Sequence, residues 1–239
     1  MKKKVLITGA SRGLGLAISK LLAADYHLIL HASTPESFTD IIPDSDILCA
    51  DLSDATQLAE FCKQLKKQHG SELYGVINNA GVTFDNSIIY QQEKHIDDML
   101  NVNLRAPILI CKTVMKLFAA NGEGVIINMS SVVGESGNAF QAVYAATKAA
   151  LVAFSRSLAQ EAAVMNDPNN VRVLCVSPGF IETDMTANIP AEMKEKYLKM
   201  IPAKKMGTPE DIAQTIYFLL SEKASYINGT NVHVNGGLF

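Results

Sequence analysis

Short runs of apolar residues alternate along the chain with longer stretches in which apolar positions recur at helical spacing. The runs are Val5–Thr8, Leu28–Leu30, Ile47–Cys49, Gly75–Asn78, Val125–Met129, Val171–Val176 and Thr230–Val234. They are β-branched or leucine-rich and apolar at successive positions, the pattern of strands covered on both faces. Helical patterns fall at about 13–24, 54–68, 92–119, 141–165 and 209–221. Alternation of this kind predicts parallel strands joined by right-handed crossovers. The expected fold class is α/β: a single-domain Rossmann-type doubly wound parallel sheet of about seven strands, with helices on both faces. No linker, repeat or low-complexity tract divides the 239 residues, so one domain is expected over 1–239. The polar, proline-flanked stretch at 183–205 interrupts the alternation and is the expected mobile lid.

Composition narrows the classes. Apolar residues make up 48% of the chain and charged ones 19%, enough to bury a sizeable core and to exclude wholesale disorder. The net charge is −3 and the longest single-sign block is Lys2-Lys3-Lys4, so no nucleic-acid partner is expected. Only Val5-Leu6-Ile7 follows those lysines before Thr8-Gly9, which is too short for a signal peptide. No run approaches ~18 apolar residues, so no membrane span is expected. Cys49, Cys62, Cys111 and Cys175 are widely spaced, without a CxxC pair, and read as reduced, buried thiols of a cytoplasmic protein. His27, His31, His69, His95 and His233 share no ligand spacing, and no metal is expected.

The first strand runs into Thr8-Gly9-Ala10-Ser11-Arg12-Gly13-Leu14-Gly15 and then a helical pattern. Glycines at a strand-to-helix turn let the backbone approach a pyrophosphate, whose charge the free N–H groups of the helix start can hold. The spacing is GxxxGxG rather than GxGxxG. About 20 residues further on, where an acidic residue would take the ribose hydroxyls of NAD, the chain reads Ile29-Leu30-His31-Ala32-Ser33-Thr34. With no carboxylate there, and with Arg12, Ser33 and Thr34 able to bind a 2′-phosphate, the preferred cofactor is NADP(H). Asp51-Leu52 closes the third strand, where a carboxylate can accept from an adenine amino group; a lone Asp there can equally serve the start of the following helix.

Tyr144 and Lys148 are four residues apart in a helical pattern, on one face. A nearby ammonium is expected to lower the tyrosine pKa from ~10 and make the phenol a usable proton donor or acceptor. Ser131 follows the strand Val125–Met129, at the edge of a parallel sheet where ligands bind, and can hydrogen-bond a carbonyl oxygen gaining charge. Ser130 is the competing candidate. Asn103 falls mid-helix, where an amide is mildly unfavourable and a functional use, holding a water or the lysine, would explain it.

Together TGASRGLG at 8–15, Asn78-Asn79-Ala80-Gly81, Asn103, Ser131, Tyr144-x-x-x-Lys148 and Pro178-Gly179 resemble the short-chain dehydrogenase/reductase family over essentially the whole chain. Ser131-Val132-Val133-Gly134, the stretch from Pro178 to Met185 and Val232–Gly237 resemble its 3-oxoacyl-(acyl-carrier-protein) reductase branch. The resemblance implies an NADP-dependent oxidoreductase of fatty-acid or polyketide-like synthesis, a cytoplasmic homotetramer acting on a keto thioester. It implies that hydride passes from nicotinamide to the keto carbon while Tyr144 protonates the oxygen. Ser131 would polarise the carbonyl, Lys148 would bind the nicotinamide ribose and tune Tyr144, and Asn103 would anchor a water. Gly9, Ser11, Gly13, Leu14, Gly15, Asn79, Ala80 and Gly81 would line the cofactor, with Pro178, Gly179, Ile181 and Thr183 at its nicotinamide end.

Members of that branch often offer basic side chains to an acidic carrier protein. Two segments where these are expected beside the active-site mouth, Leu117–Gly124 and Met165–Asn170, hold no Lys or Arg, leaving Arg105, Lys112, Lys116, Arg156 and Arg172 as substitutes. Two other readings stand beside the thioester reductase. One is a reductase of another ketone or alcohol, and the other is a catalytically silent dinucleotide-binding regulator.

Overall fold

A computed structural model of the chain describes residues 2–165, 170–183 and 191–239. Its strands are β1 (Lys4–Ile7), β2 (His27–Ala32), β3 (Asp46–Cys49), β4 (Leu73–Asn78), β5 (Gly124–Met129), β6 (Val171–Pro178) and β7 (Asn231–Val234). All pair in parallel in the order β3-β2-β1-β4-β5-β6-β7. The chain builds outward from β1 to β3, returns to pair β4 with β1, and builds outward the other way. The gap between the carboxyl ends of β1 and β4 is therefore the topological switch point, where ligands bind in such sheets.

The helices are α1 (Gly13–Leu22), α2 (Ala55–His69), α3 (Glu93–Leu100), α4 (Ala106–Asn121), α5 (Val133–Ser136), α6 (Ala142–Met165), α7 (Ala191–Met200) and α8 (Pro209–Leu220). Alternate strand residues feed opposite layers. Val5 and Ile7 pack with Ile18 and Leu22 of α1 and Ile212 and Ile216 of α8, whereas Leu6 packs with Leu58 of α2, Val114 of α4 and Leu158 of α6. β4, β5 and β6 are buried along their whole length, as their unbroken apolar runs predict. The edge strands β3 and β7 are only partly covered. Asp54 accepts from the N–H groups of Thr56 and Gln57 to start α2, and Thr208 with Asp211 forms a capping box ahead of α8.

The helix expected over 92–119 is interrupted. A five-residue π turn, Asn101–Arg105, separates α3 from α4. Pro107 lies just beyond it and has no N–H to offer the carbonyl of Asn103, so a regular ladder cannot run through this point. Within the expected lid at 183–205, residues 184–190 lie outside the described residues, and the described remainder contains α7 rather than loop alone. Residues 166–169 of the Met165–Asn170 segment also lie outside. All four cysteines are free, but only Cys111 and Cys175 are buried; Cys49 is exposed because it sits on an edge strand. No helix among the described residues is long and apolar enough to cross a membrane.

Arg172 is not a surface charge. It is buried beneath the C-terminus of α8, where Nη2 donates to the carbonyls of Leu219 (2.8 Å) and Ser221 (3.2 Å) and Nη1 to that of Ile227 (3.5 Å). A cation at a helix C-terminus satisfies carbonyls that have no partner within the helix. Arg172→Ala strips these carbonyls of their donor and is expected to lower the unfolding free energy by about 2–4 kcal/mol. Urea denaturation measures this, and a loss below about 0.5 kcal/mol would contradict the capping role.

Candidate active site

The switch point is pinned by Thr8. Its Oγ1 accepts from the backbone N–H groups of Asn79 and Ala80, both at 3.0 Å, and lies 3.4 Å from the Ile77 carbonyl. Asn79 returns the tie, Nδ2 donating to the carbonyls of Thr8 (2.9 Å) and Gly9 (3.1 Å). The glycine turn therefore rests directly on the loop after β4. Gly9 has φ +64°, and a Cβ on Gly15 would lie 2.0 Å from the Gly9 carbonyl oxygen, so even alanine is excluded there. The result is a bare backbone cradle at the start of α1. Ser11 is buried within it, Leu14 packs against the core, and Arg12 at the N-cap points outward.

The outer end of the cradle lies where β2 and β3 stop. Ser33 and Thr34 are exposed, and their hydroxyls lie 3.5 and 3.2 Å from that of Ser37. Asp51 is exposed, its Oδ1 accepting from the N–H (2.9 Å) and hydroxyl (2.7 Å) of Ser53, whereas Asp54 is the residue that caps α2. Leu52 is buried beside it. Sequence reasoning missed Glu36. Hydrogen bonds from its own backbone N–H and from Thr34 hold its carboxyl below the usual range, and its charge adds to burial in pushing the Cys49 thiol up. Glu36 lies two residues beyond the Ile29–Thr34 stretch, and the tight turn Pro35–Ser37 keeps it beside the Thr34 hydroxyl.

The catalytic candidates converge at the carboxyl edge of β4, β5 and β6. The Nζ of Lys148 donates to the Met129 carbonyl at 2.7 Å and lies 5.6 Å from the centre of the Tyr144 ring. A Cβ on Gly81 would stand 3.5 Å from that Nζ and 3.4 Å from Asn103 Oδ1, which brings the loop after β4, α6 and the π turn together. Asn103 is fully buried. Its Oδ1 accepts from the Val82 N–H (2.8 Å), and its Nδ2 donates to the Val82 carbonyl (2.8 Å) and the Thr147 hydroxyl (3.3 Å). The amide thus clamps the loop onto α6, and the π turn presents it.

The two serines separate cleanly. Ser130 is buried and donates to the Lys148 carbonyl at 2.8 Å, a tie between β5 and α6. The hydroxyl of Ser131 hydrogen-bonds to the Tyr144 phenol and accepts from the Val133 N–H. Tyr144 differs from expectation: its pKa is raised, because desolvation outweighs the Ser131 bond, and the Lys148 ammonium is engaged with Met129 rather than the phenol. Burial pushes Lys148 down to about 8.

Pro178 and Gly179 end β6 beside these groups, the Pro178 carbonyl accepting from Val132 and the Gly179 N–H donating to Val234. The Ile181 side chain belongs to the core, and its backbone bridges Gly207. Thr183 is half-buried at the last described position before 184–190. Residues 117–124 lie instead at the amino edge of the sheet, with the Asn170 carbonyl accepting from the Gly124 N–H, so within one chain this expected docking segment does not border the cleft. Of the substitute cations, Arg105, Lys112, Lys116 and Arg156 are exposed on α4, its preceding turn and α6.

A family model described as Enoyl-(Acyl carrier protein) reductase matches residues 9–239. The chain is 38% identical, over 100% of its length and 99% of the relative's, to the 3-oxoacyl-(acyl-carrier-protein) reductase FabG of Staphylococcus aureus strain Mu50. It is 36% identical to the protein of that name from Escherichia coli K12, over 99% of this chain and 97% of the relative. With the Salmonella typhimurium LT2 protein the identity is 37% over the same shares. A parallel sheet with its cradle at the switch point, serine, tyrosine and lysine at the adjoining edge and full-length likeness to these reductases agree: the chain belongs to the short-chain dehydrogenase/reductase family.

Proposed function

We propose that this chain is an NADPH-dependent reductase of 3-oxoacyl thioesters carried on acyl carrier protein, acting in fatty-acid or polyketide-like synthesis. The observation that carries the reading is the packing of Ser131, Tyr144, Lys148 and Asn103 beside a backbone cradle that excludes even a Cβ at Gly15.

The cradle fits a dinucleotide. Ser11, Gly13, Leu14 and Gly15 would take its pyrophosphate on backbone N–H groups, with Gly9 lining the approach by its lack of a side chain. Arg12, Ser33 and Thr34 would take the 2′-phosphate, with Asp51 and Leu52 at the adenine. Asn79, Ala80 and Gly81 would lie along the ribose side, Tyr144 and Lys148 would hold the nicotinamide ribose, and Pro178, Gly179, Ile181 and Thr183 would border the nicotinamide. The bound cofactor supplies hydride to the keto carbon.

The protein's part is to hold the carbonyl and deliver a proton. Ser131 orients the carbonyl oxygen by a hydrogen bond, and Tyr144, kept protonated by its raised pKa, donates the proton as negative charge develops there. Lys148, with its pKa near 8, binds ribose hydroxyls and places a cation beneath the phenol when that proton leaves. Asn103 fixes the floor between them and borders the water that resupplies protons. The segment at 183–205 closes over the occupied cleft, an assignment supported by the stacking of Phe180 on Tyr197 of α7 at 4.0 Å.

Glu36 favours a second reading of the cofactor, in which its carboxylate takes the ribose hydroxyls of NADH. The assembly is read as a cytoplasmic homotetramer, supported by the exposed Ala146, Ala149 and Ala153 on α6 and by Val164, 88% exposed near its end. Sedimentation equilibrium is expected to give four chain masses, and one chain mass would contradict this.

Tyr144→Phe is expected to lower kcat with an acetoacetyl thioester by about 10³-fold, the range of a lost general acid, with NADPH affinity lowered no more than about tenfold by the lost ribose bond. A rate within tenfold of the parent contradicts the role, and a parent that binds nucleotide without turnover returns the silent-regulator reading. Arg12→Ala removes a charge-assisted bond and is expected to weaken NADPH about 10–100-fold while sparing NADH. Equal losses in fluorescence titrations would transfer the outer site to Glu36 and NADH.

A further inference from the structure

Beneath the outer half of the cradle lies a histidine that the mechanism does not use. His31 is 3% exposed, near the carboxyl end of β2. The Gly9 N–H donates to its Nδ1 at 3.2 Å, and its Nε2 lies 3.0 Å from the Ala50 carbonyl at the end of β3. Its own carbonyl accepts from the Ala10 N–H at 2.8 Å, and Phe61 of α2 meets the ring edge-on, 5.1 Å away.

The partners fix the ring's protonation. A backbone N–H can only donate, so Nδ1 carries no proton; a carbonyl can only accept, so Nε2 carries one. Burial pushes the pKa down to about 4, which agrees with a neutral ring. One side chain therefore joins the glycine turn, β2 and the segment that leads to Asp51 and Leu52. The left-handed Gly9 directs its N–H down to His31, while its carbonyl is held from the other side by Asn79 Nδ2. Gly9 is thus held through both flanking peptides, by its N–H and by its carbonyl, and their orientation sets the direction of the free N–H groups that follow.

We infer that His31 is a positioning residue for the cofactor: by accepting the Gly9 amide proton it presets the glycine turn, and cofactor affinity depends on that bond. The inference rests on the reading of the turn as a dinucleotide site. The side chain touches neither cofactor nor substrate and acts only through the backbone of Gly9 and Ala50.

Two variants of similar polarity separate positioning from packing. In His31→Asn the amide oxygen stands where Nδ1 stood and accepts from Gly9, but the side chain is too short for Ala50. In His31→Gln the amide nitrogen reaches Ala50 and the Gly9 N–H loses its acceptor. The expected result is an NADPH dissociation constant within about threefold of the parent for His31→Asn and raised about tenfold or more for His31→Gln, with kcat at saturating NADPH within about twofold in both. Equal losses in the two variants, or none, overturn the inference. Nitrogen-15 NMR of the unmodified protein decides independently of how the variants fold. It is expected to show His31 protonated at Nε2 alone, and a proton on Nδ1 overturns the inference. If the parent itself binds neither NADPH nor NADH, the dinucleotide reading of the turn fails; a parent that binds, with variants that do not differ, removes only the role of His31.

Discussion

The hydrogen bonds between Thr8 and Asn79 are what the rest of the site depends on. A doubly wound sheet leaves its crevice where two neighbouring strands send their connections to opposite sides, and here those strands are β1 and β4. Nothing covalent relates the two loops that line the crevice. The Thr8 hydroxyl and the Asn79 amide supply that relation, holding the glycine turn against the loop at 79–81. From Gly81 and Val82 the register passes to Asn103, from Asn103 through Thr147 to α6, and so to Tyr144 and Lys148. Each link spends a buried polar group's hydrogen bonds on backbone or on another side chain, which fixes positions that apolar packing alone would leave free to slide.

Lys148 shows what that order costs and allows. A buried ammonium with a folded pKa near 8, below its ordinary 10.5, opposes folding while it is charged. That penalty is fully present below pH 8 and is relieved as the pH rises from 8 toward 10.5. Its donor bond goes to the Met129 carbonyl, and it stands under the ring of Tyr144 rather than beside the phenol oxygen. Hydroxyl groups of a bound ribose would add acceptors to a cation that burial has left short of them. The Tyr144 phenol, meanwhile, stays protonated, the state that a donor to a carbonyl oxygen requires.

How much of this was legible in the sequence follows from the range of each signal. The strands, the glycine turn and the pairing of Tyr144 with Lys148 are local patterns, and the sequence analysis located them. Asn103 was singled out as an amide misplaced in a helix, but the π turn that presents it depends on where α3 and α4 pack. Arg172 looked like any strand-end charge, because the α8 carbonyls it caps lie some 50 residues away in sequence. Glu36 escaped because a tight turn carried it back beside Thr34. His31 escaped because a histidine on a strand has no signature of its own; only the convergence of Gly9, Ala50 and Phe61 gives it meaning. The expected docking segment Leu117–Gly124 falls at the amino edge of the sheet because it leads into β5.

The central claim is that this cleft reduces a keto group presented as a thioester on a carrier. The most direct measurement is the steady-state consumption of NADPH with acetoacetyl-acyl carrier protein, against acetoacetyl-coenzyme A and a free diketone at matched concentration. The account predicts the highest kcat/KM for the carrier-bound substrate. Equal or faster turnover of the free diketone would contradict it and make the protein a general carbonyl reductase on the same scaffold.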